Sequence, residues 1–130
     1  MNNKVLIVED HELNLKLFRD LLELKGAEVL STNDGSLFYD MALSFMPDLI
    51  LMDIKLQLIS GYDLIKQIKS DPITKHIPII AITAFATKND EEKLLKAGCA
   101  SYIAKPFAVD YFFDVISNFL ELKTLTEELV

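Results

Sequence analysis

The chain has 130 residues, of which 51% are hydrophobic, so its length suits one domain with a substantial core and excludes a second one. Its 13 basic and 20 acidic residues give a net charge of −7, and the absence of any basic run or basic-aromatic stripe argues against direct nucleic-acid binding. The single cysteine, Cys99, excludes an internal disulfide, and no apolar stretch approaches the length of a membrane span or a secretory leader, so we expect a soluble, cytoplasmic protein.

The first half of the chain alternates short apolar runs with segments of helical period. A strand is predicted at residues 5–8, and the leucines that follow it at helical spacing predict a helix reaching Gly26, which suits a C-terminal cap. A second strand is predicted at residues 28–31. The next helix opens at Asp34-Gly35 and must end before Pro47, because the residue before proline avoids helical geometry.

The second half repeats this alternation three times. Strands are predicted at residues 49–52, 77–82 and 101–103, and helices after Gly61 and at residues 90–97 and 110–120. Residues 122–130 are expected to form a short acidic tail, although Leu122, Leu125 and Leu129 continue the helical spacing.

Five strand-then-helix repeats, with several strands apolar throughout, indicate a parallel sheet covered by helices on both faces. We therefore predict a doubly wound α/β domain with five strands and five helices over residues 1–121. In such folds ligands bind beyond the carboxyl ends of the strands.

Polar residues follow four of these strands at that edge. Glu9 and Asp10 end the first strand, Asp53 the third and Thr83 the fourth, and Lys105 follows the fifth. Three neighbouring carboxylates repel one another unless a cation lies between them, and an oxygen-only ligand set favours Mg²⁺. Asp53 is then a candidate nucleophile towards a phosphoryl group, with Lys105 and Thr83 stabilising the charge of the transition state.

The segments VLIVED (5–10), LILMDI (49–54), Ser60-Gly61, AITA (81–84) and YIAKPF (102–107) together resemble the receiver domain of two-component response regulators. This resemblance covers essentially the whole chain and implies the flavodoxin-like strand order 2-1-3-4-5. Within the family, VLIVEDHELNLKLFRDLLE and HIPIIAITAFA are most similar to single-domain regulators of cell division in alphaproteobacteria. That similarity implies a role in the cell cycle and polarity, and the short chain leads us to expect no output domain.

The resemblance also implies roles for individual residues. Asp53 would accept a phosphoryl group from a phosphohistidine, and Mg²⁺ would be held by Glu9, Asp10, Asp53 and the backbone carbonyl of Lys55. Lys105 would pair with the phosphoryl group and form a cis peptide with Pro106. The chain would catalyse only its own phosphorylation and dephosphorylation.

Signalling would follow from movement of Thr83 towards the phosphoryl oxygens and of Tyr102 inward. These movements would remodel the face made by the fourth helix, the fifth strand and the fifth helix. The implied partners are sensor histidine kinases or histidine phosphotransfer proteins, which would use that face and the first helix.

Two positions depart from the family pattern. Gln57 replaces a common proline four residues after the acceptor, and Lys55 is a charged side chain at a position that tunes dephosphorylation in the family. Both leave the lifetime of the phosphorylated state open.

Three alternative functions stay open at this point. A phosphorelay shuttle would use the same residues and pass the phosphoryl group on to a histidine phosphotransfer protein. An aspartyl-nucleophile phosphatase would need a second Asp where this chain has Lys55. A flavin carrier would need a phosphate-binding loop in place of Glu9, Asp10 and their acidic surroundings.

Overall fold

Each strand of the central sheet ends at, or just before, a polar residue, and the two strands at Leu49–Asp53 and Ile79–Thr83 are buried throughout. The structure, a computed structural model, describes residues 3–56, 60–84 and 87–122. Its strands are β1 (Lys4–Val8), β2 (Glu28–Thr32), β3 (Leu49–Asp53), β4 (Ile79–Thr83) and β5 (Ser101–Ala104). All neighbouring strands pair in parallel, in the order β2-β1-β3-β4-β5, which confirms the predicted strand order.

Helices cover both faces of this sheet. They are α1 (Glu12–Leu24), α2 (Phe38–Phe45), α3 (Gly61–Ser70), α4 (Lys88–Ala97) and α5 (Val109–Ile116). Alternate residues of the central strands enter two separate cores, one shared with α1 and α5 and the other with α2, α3 and α4. The doubly wound α/β class is therefore confirmed, and the carboxyl ends of β1, β3, β4 and β5 meet at one edge.

Two predicted boundaries were wrong for local reasons. The fourth strand begins at Ile79 rather than Ile77, because the Ile77 N–H donates to the Thr74 carbonyl in a turn and Pro78 has no N–H to give. The fifth helix ends at Ile116 rather than Leu120, because the side chains of Ser117 and Asn118 both donate to the Asp114 carbonyl. Leu120 is nevertheless buried, so the helical spacing of apolar residues extends beyond the end of the helix itself.

Helix starts differ by a few residues as well. Asp34 caps a short 3₁₀ turn at Gly35–Leu37, and α2 itself begins at Phe38. The fourth helix begins at Lys88 instead of Asp90, since Thr87 and Asp90 form a reciprocal capping box at its start. The helical spacing predicted beyond residue 122 falls on residues 123–130, which lie outside the described part of the chain.

No helix among the described residues has the length and apolar character needed to cross a membrane.

Candidate functional site

Three carboxylates converge where β1 and β3 end. Glu9 and Asp10 directly follow β1 and Asp53 is the last residue of β3, so the parallel pairing of these two strands brings them together. One carboxylate oxygen from each residue lies within 4.8 Å of the other two. Glu9 is 1% exposed and Asp53 7% exposed, whereas Asp10 is half-buried. The predicted cluster of acids is therefore present and largely shielded from water.

Lys105 supplies the cation that faces this cluster. Its Nζ donates to Glu9 Oε1 at 3.1 Å and lies 3.9 Å from Asp53 Oδ2. Of the two carboxylates, Glu9 is therefore the nearer partner of Lys105. No local signal in the sequence indicated this pair, because 96 positions separate its two residues.

Backbone contacts on both sides of Lys105 hold its Cα in place. The Lys105 N–H donates to the Thr83 carbonyl at 2.7 Å, and the Lys105–Pro106 peptide is cis, as predicted. The next residue, Phe107, stacks its ring against those of Phe18 and Phe112 at centroid distances of 5.7 and 5.4 Å. The lysine is thus anchored between a strand end and the core beneath α1 and α5.

Neighbouring groups shift the pKa of Asp53 in opposite directions. Burial raises the pKa of Asp53 from 3.8 to about 7, and the adjacent Glu9 carboxylate adds to this rise. The Lys105 ammonium and the Lys55 backbone N–H, which donates to Asp53 Oδ1 at 3.1 Å, lower the pKa in the opposite direction. Without a further cation, the site therefore holds Asp53 in part as the neutral acid near pH 7.

The residues fit a hard divalent cation. Glu9 Oε2 is buried, and no hydrogen-bond donor among the described residues reaches it. A buried carboxylate oxygen without a donor is costly, and a metal ion removes that cost. The three clustered residues offer oxygen ligands only, the set that Mg²⁺ prefers.

Gly61 lets α3 start close against the end of β3. A Cβ at this position would lie 2.8 Å from both the Asp53 carbonyl oxygen and the Ile54 Cα. The Gly61 N–H donates to the Ile54 carbonyl at 3.2 Å, so the approach is held by a backbone hydrogen bond. The family motif included Ser60-Gly61, but the motif alone did not show that the missing side chain makes room for the backbone at the end of β3.

We expect Gly61→Ala to lower the free energy of unfolding by about 1 to 2 kcal/mol, because the backbone of Asp53 and Ile54 must shift to admit the methyl group. Urea unfolding with and without Mg²⁺ measures both stability and the gain on metal binding. Ser70→Ala, at the exposed end of the same helix, is the matched control. An unchanged unfolding midpoint in Gly61→Ala would contradict the close approach.

The remaining predicted residues lie around this cluster. Thr83 ends β4, is buried, and lines a cavity of about 250 Å³ together with Lys55. The Lys55 side chain is exposed, while Gln57 lies outside the described residues. Tyr102 is half-buried on β5, and a hydrogen bond with Glu91 of α4 raises the pKa of its hydroxyl. Tyr102 thus links β5 to α4 at the face predicted to change shape.

A model of the response regulator receiver domain matches residues 5–117, so the chain belongs to the response regulator receiver family, as predicted. Within that family it is similar to the polar-differentiation response regulators DivK of Brucella ovis and Brucella anthropi. Each is 49% identical over 120 residues, which cover 92% of this chain and 98% of the relative. The predicted similarity to single-domain cell-division regulators is confirmed by these matches.

Solved structures agree with this assignment. The receiver domain of the sensor histidine kinase PA1611 from Pseudomonas aeruginosa, crystallised with a magnesium ion in its active site cleft, is 31% identical with a TM-score of 0.82. That alignment covers 92% of this chain and 98% of the PA1611 domain. The chemotaxis protein CheY4 of Vibrio cholerae has a TM-score of 0.86 at 22% identity, covers 92% of this chain and 100% of its own, and supports the fold alone.

Proposed function

We propose that Asp53 accepts a phosphoryl group from a phosphohistidine of a sensor histidine kinase or histidine phosphotransfer protein. An Asp53 carboxylate oxygen attacks phosphorus, the P–N bond breaks, and the released imidazole takes up a proton. The supporting observation is the convergence of three carboxylates and the Lys105 ammonium around one nucleophilic oxygen at the end of β3.

We infer that Glu9, Asp10, Asp53 and the backbone carbonyl of Lys55 hold Mg²⁺ at this site. When bound, the metal supplies positive charge that offsets the carboxylates and the phosphoryl oxygens. Lys105 then provides a second positive charge aimed at the incoming oxygens, and its anchored backbone keeps this charge in place before the reaction. Burial of Glu9 and Asp53 excludes the water that would compete as a nucleophile.

The signal would leave through the face formed by α4, β5 and α5. A phosphoryl dianion beside buried Thr83 would attract the Thr83 hydroxyl. Tyr102, which is hydrogen-bonded to Glu91 in this structure, would then move inward. The same face exposes apolar side chains that suit a protein partner, namely Leu95, Val109 and Tyr111. Leu13 and Leu17 form a second exposed apolar stripe on α1, which we assign to contact with the phosphodonor.

In the cell, we propose that this protein acts in the cytoplasm as a regulator of polarity and division. The support is its similarity to DivK over 98% of that relative's length, together with a receiver fold that uses nearly all described residues. Its output would be phosphorylation-dependent contact with other proteins, and its catalysis would extend no further than its own phosphorylation and dephosphorylation.

Intact-mass measurement after incubation with acetyl phosphate and Mg²⁺ tests the chemistry. We expect one added phosphoryl group in the wild type and none in Asp53→Asn or in the presence of EDTA. Asp63→Asn, an exposed acid on α3, is the matched control and should be modified like the wild type. A folded wild type that gains no phosphoryl group under these conditions would rule out the proposed function.

Magnesium is also expected to stabilise the unphosphorylated protein. At a concentration ten times its dissociation constant, Mg²⁺ should raise the free energy of unfolding by about 1.4 kcal/mol, since only the folded chain assembles the ligand set. Thermal unfolding across a Mg²⁺ titration measures this gain. Asp10→Asn should lose most of it, while Asp20→Asn, whose carboxylate pairs with Lys16 on the surface, should keep it. Equal gains in both variants would place the ion elsewhere.

A further inference from the structure

A groove separate from the acidic cluster lies between α3 and α4. It has a volume of about 550 Å³, within the range of ligand-binding clefts. Its walls are formed mainly by Ser60, Tyr62, Asp63, Lys66, Lys93 and Lys96. Lysines therefore lie on both walls, one on α3 and two on α4, and the single acid among these residues, Asp63, lies on the α3 wall.

The positive charge of this groove contrasts with the rest of the chain. The whole protein carries −7, so an acidic ligand is repelled at a distance and can be held only by a local cluster of cations. Within the described part of the chain, neither Lys66 nor Lys96 forms a salt bridge. Their ammonium groups are exposed and available to carboxylates from outside.

Lys93 is held against the wall of the groove. Its Nζ lies 4.6 Å from the centroid of the Tyr62 ring, in a cation–π contact that joins α4 to α3. Because this contact covers the Tyr62 ring, the groove offers cations rather than an open aromatic face for stacking a base. An elongated acidic chain suits it better than a nucleotide.

The groove also adjoins a smaller cavity at the carboxyl ends of β3 and β4. The smaller cavity that Thr83 lines shares Ser60, Tyr62 and Lys93 with it. Leu95 lies two residues after Lys93. Because successive helical residues are separated by about 100°, the exposed Leu95 side chain projects from the side of α4 opposite to Lys93. This surface is thus distinct from the α4-β5-α5 face.

We propose that the groove between α3 and α4 binds an acidic segment of a partner protein, whose carboxylates pair with Lys66, Lys93 and Lys96. The groove is then a docking surface additional to the α4-β5-α5 face and the α1 stripe, and it seats its partner next to Thr83 and the end of β3. Recognition is electrostatic, so it weakens as salt is added.

Titration of the ¹⁵N-labelled protein with a capped hexaglutamate peptide at low ionic strength tests this proposal. We expect saturable amide shifts concentrated on α3 and α4 around Tyr62 and Lys93, and none with a capped hexaglutamine peptide. The triple variant Lys66→Gln, Lys93→Gln, Lys96→Gln should weaken binding by about tenfold. The peptide titration uses neither metal nor phosphodonor, so its result is independent of the proposed phosphorylation.

The matched control removes the same charge elsewhere, as Lys16→Gln, Lys25→Gln, Lys75→Gln. It should change the affinity by less than about twofold, because these lysines lie on α1, the turn after it and the α3–β4 loop. Equal weakening in both triple variants, shifts spread over all lysines, or no saturable shift would each overturn the proposal. All six lysines are at least partly exposed, and thermal unfolding of each variant verifies that it is folded.

Discussion

Replacement of Lys105 by Gln is expected to slow phosphorylation of Asp53 by acetyl phosphate about 100- to 1000-fold. The ammonium lies 3.1 Å from Glu9 and 3.9 Å from Asp53, inside a site that is otherwise acidic. Its loss removes a preorganised positive charge from the place where negative charge must gather, and such a loss costs about 3 to 4 kcal/mol in other buried sites. It also leaves the buried Glu9 carboxylate without its ion-pair partner.

The initial rate of phosphoryl incorporation, followed by intact mass at saturating Mg²⁺, measures this effect. Lys75→Gln, which removes an exposed lysine far from the cluster, is the control and should keep the wild-type rate. Lys105→Arg should recover part of the lost rate, since it restores the charge with a different donor geometry. A rate for Lys105→Gln within about threefold of the wild type would contradict the assigned role.

The strands and their parallel sheet could be predicted from the sequence because the strong signals are local, whereas the strand order was implied by the family resemblance. Residues 49–52 are apolar on both faces of the strand, and a strand that buries both faces is typical of the centre of a parallel sheet. The errors arose where two local signals disagreed. Ile77 is buried like a strand residue but sits in a turn before Pro78, and Leu120 is buried like a helix residue after α5 has ended.

The candidate site was predictable in part for the same reason. Polar residues at strand ends must meet at one edge of a parallel sheet, so the cluster of Glu9, Asp10 and Asp53 follows from topology. The distances within the cluster do not, because they depend on side-chain packing. Two features depend on side-chain packing in this way and could not be predicted: the shorter distance from Lys105 to Glu9 than to Asp53, and the lysines that line the groove between α3 and α4.

In metal-free protein, Asp53→Asn is expected to increase the free energy of unfolding, and to do so more at pH 8 than at pH 5. The pKa of Asp53 rises from 3.8 to about 7 on folding, chiefly because of burial, so the folded chain resists ionising this group. Above pH 7 the full shift would correspond to about 4 kcal/mol. Screening by solvent at the open rim of the site reduces this, and we expect about 2 to 3 kcal/mol at pH 8.

The sign follows from proton binding. Between pH 4 and pH 7 the folded state holds the Asp53 proton that the unfolded state has lost, so wild-type stability falls as pH rises through this window and levels off above it. Asparagine cannot ionise, so the variant lacks this fall. Urea unfolding of both proteins in EDTA from pH 5 to pH 8 measures the difference, with Asp63→Asn as the exposed control. A difference that is constant with pH would mean that Asp53 ionises as freely in the folded chain as in the unfolded one. Because Asp53 resists ionisation at the end of β3, the proposed acceptor role would require a cation to hold it as the carboxylate.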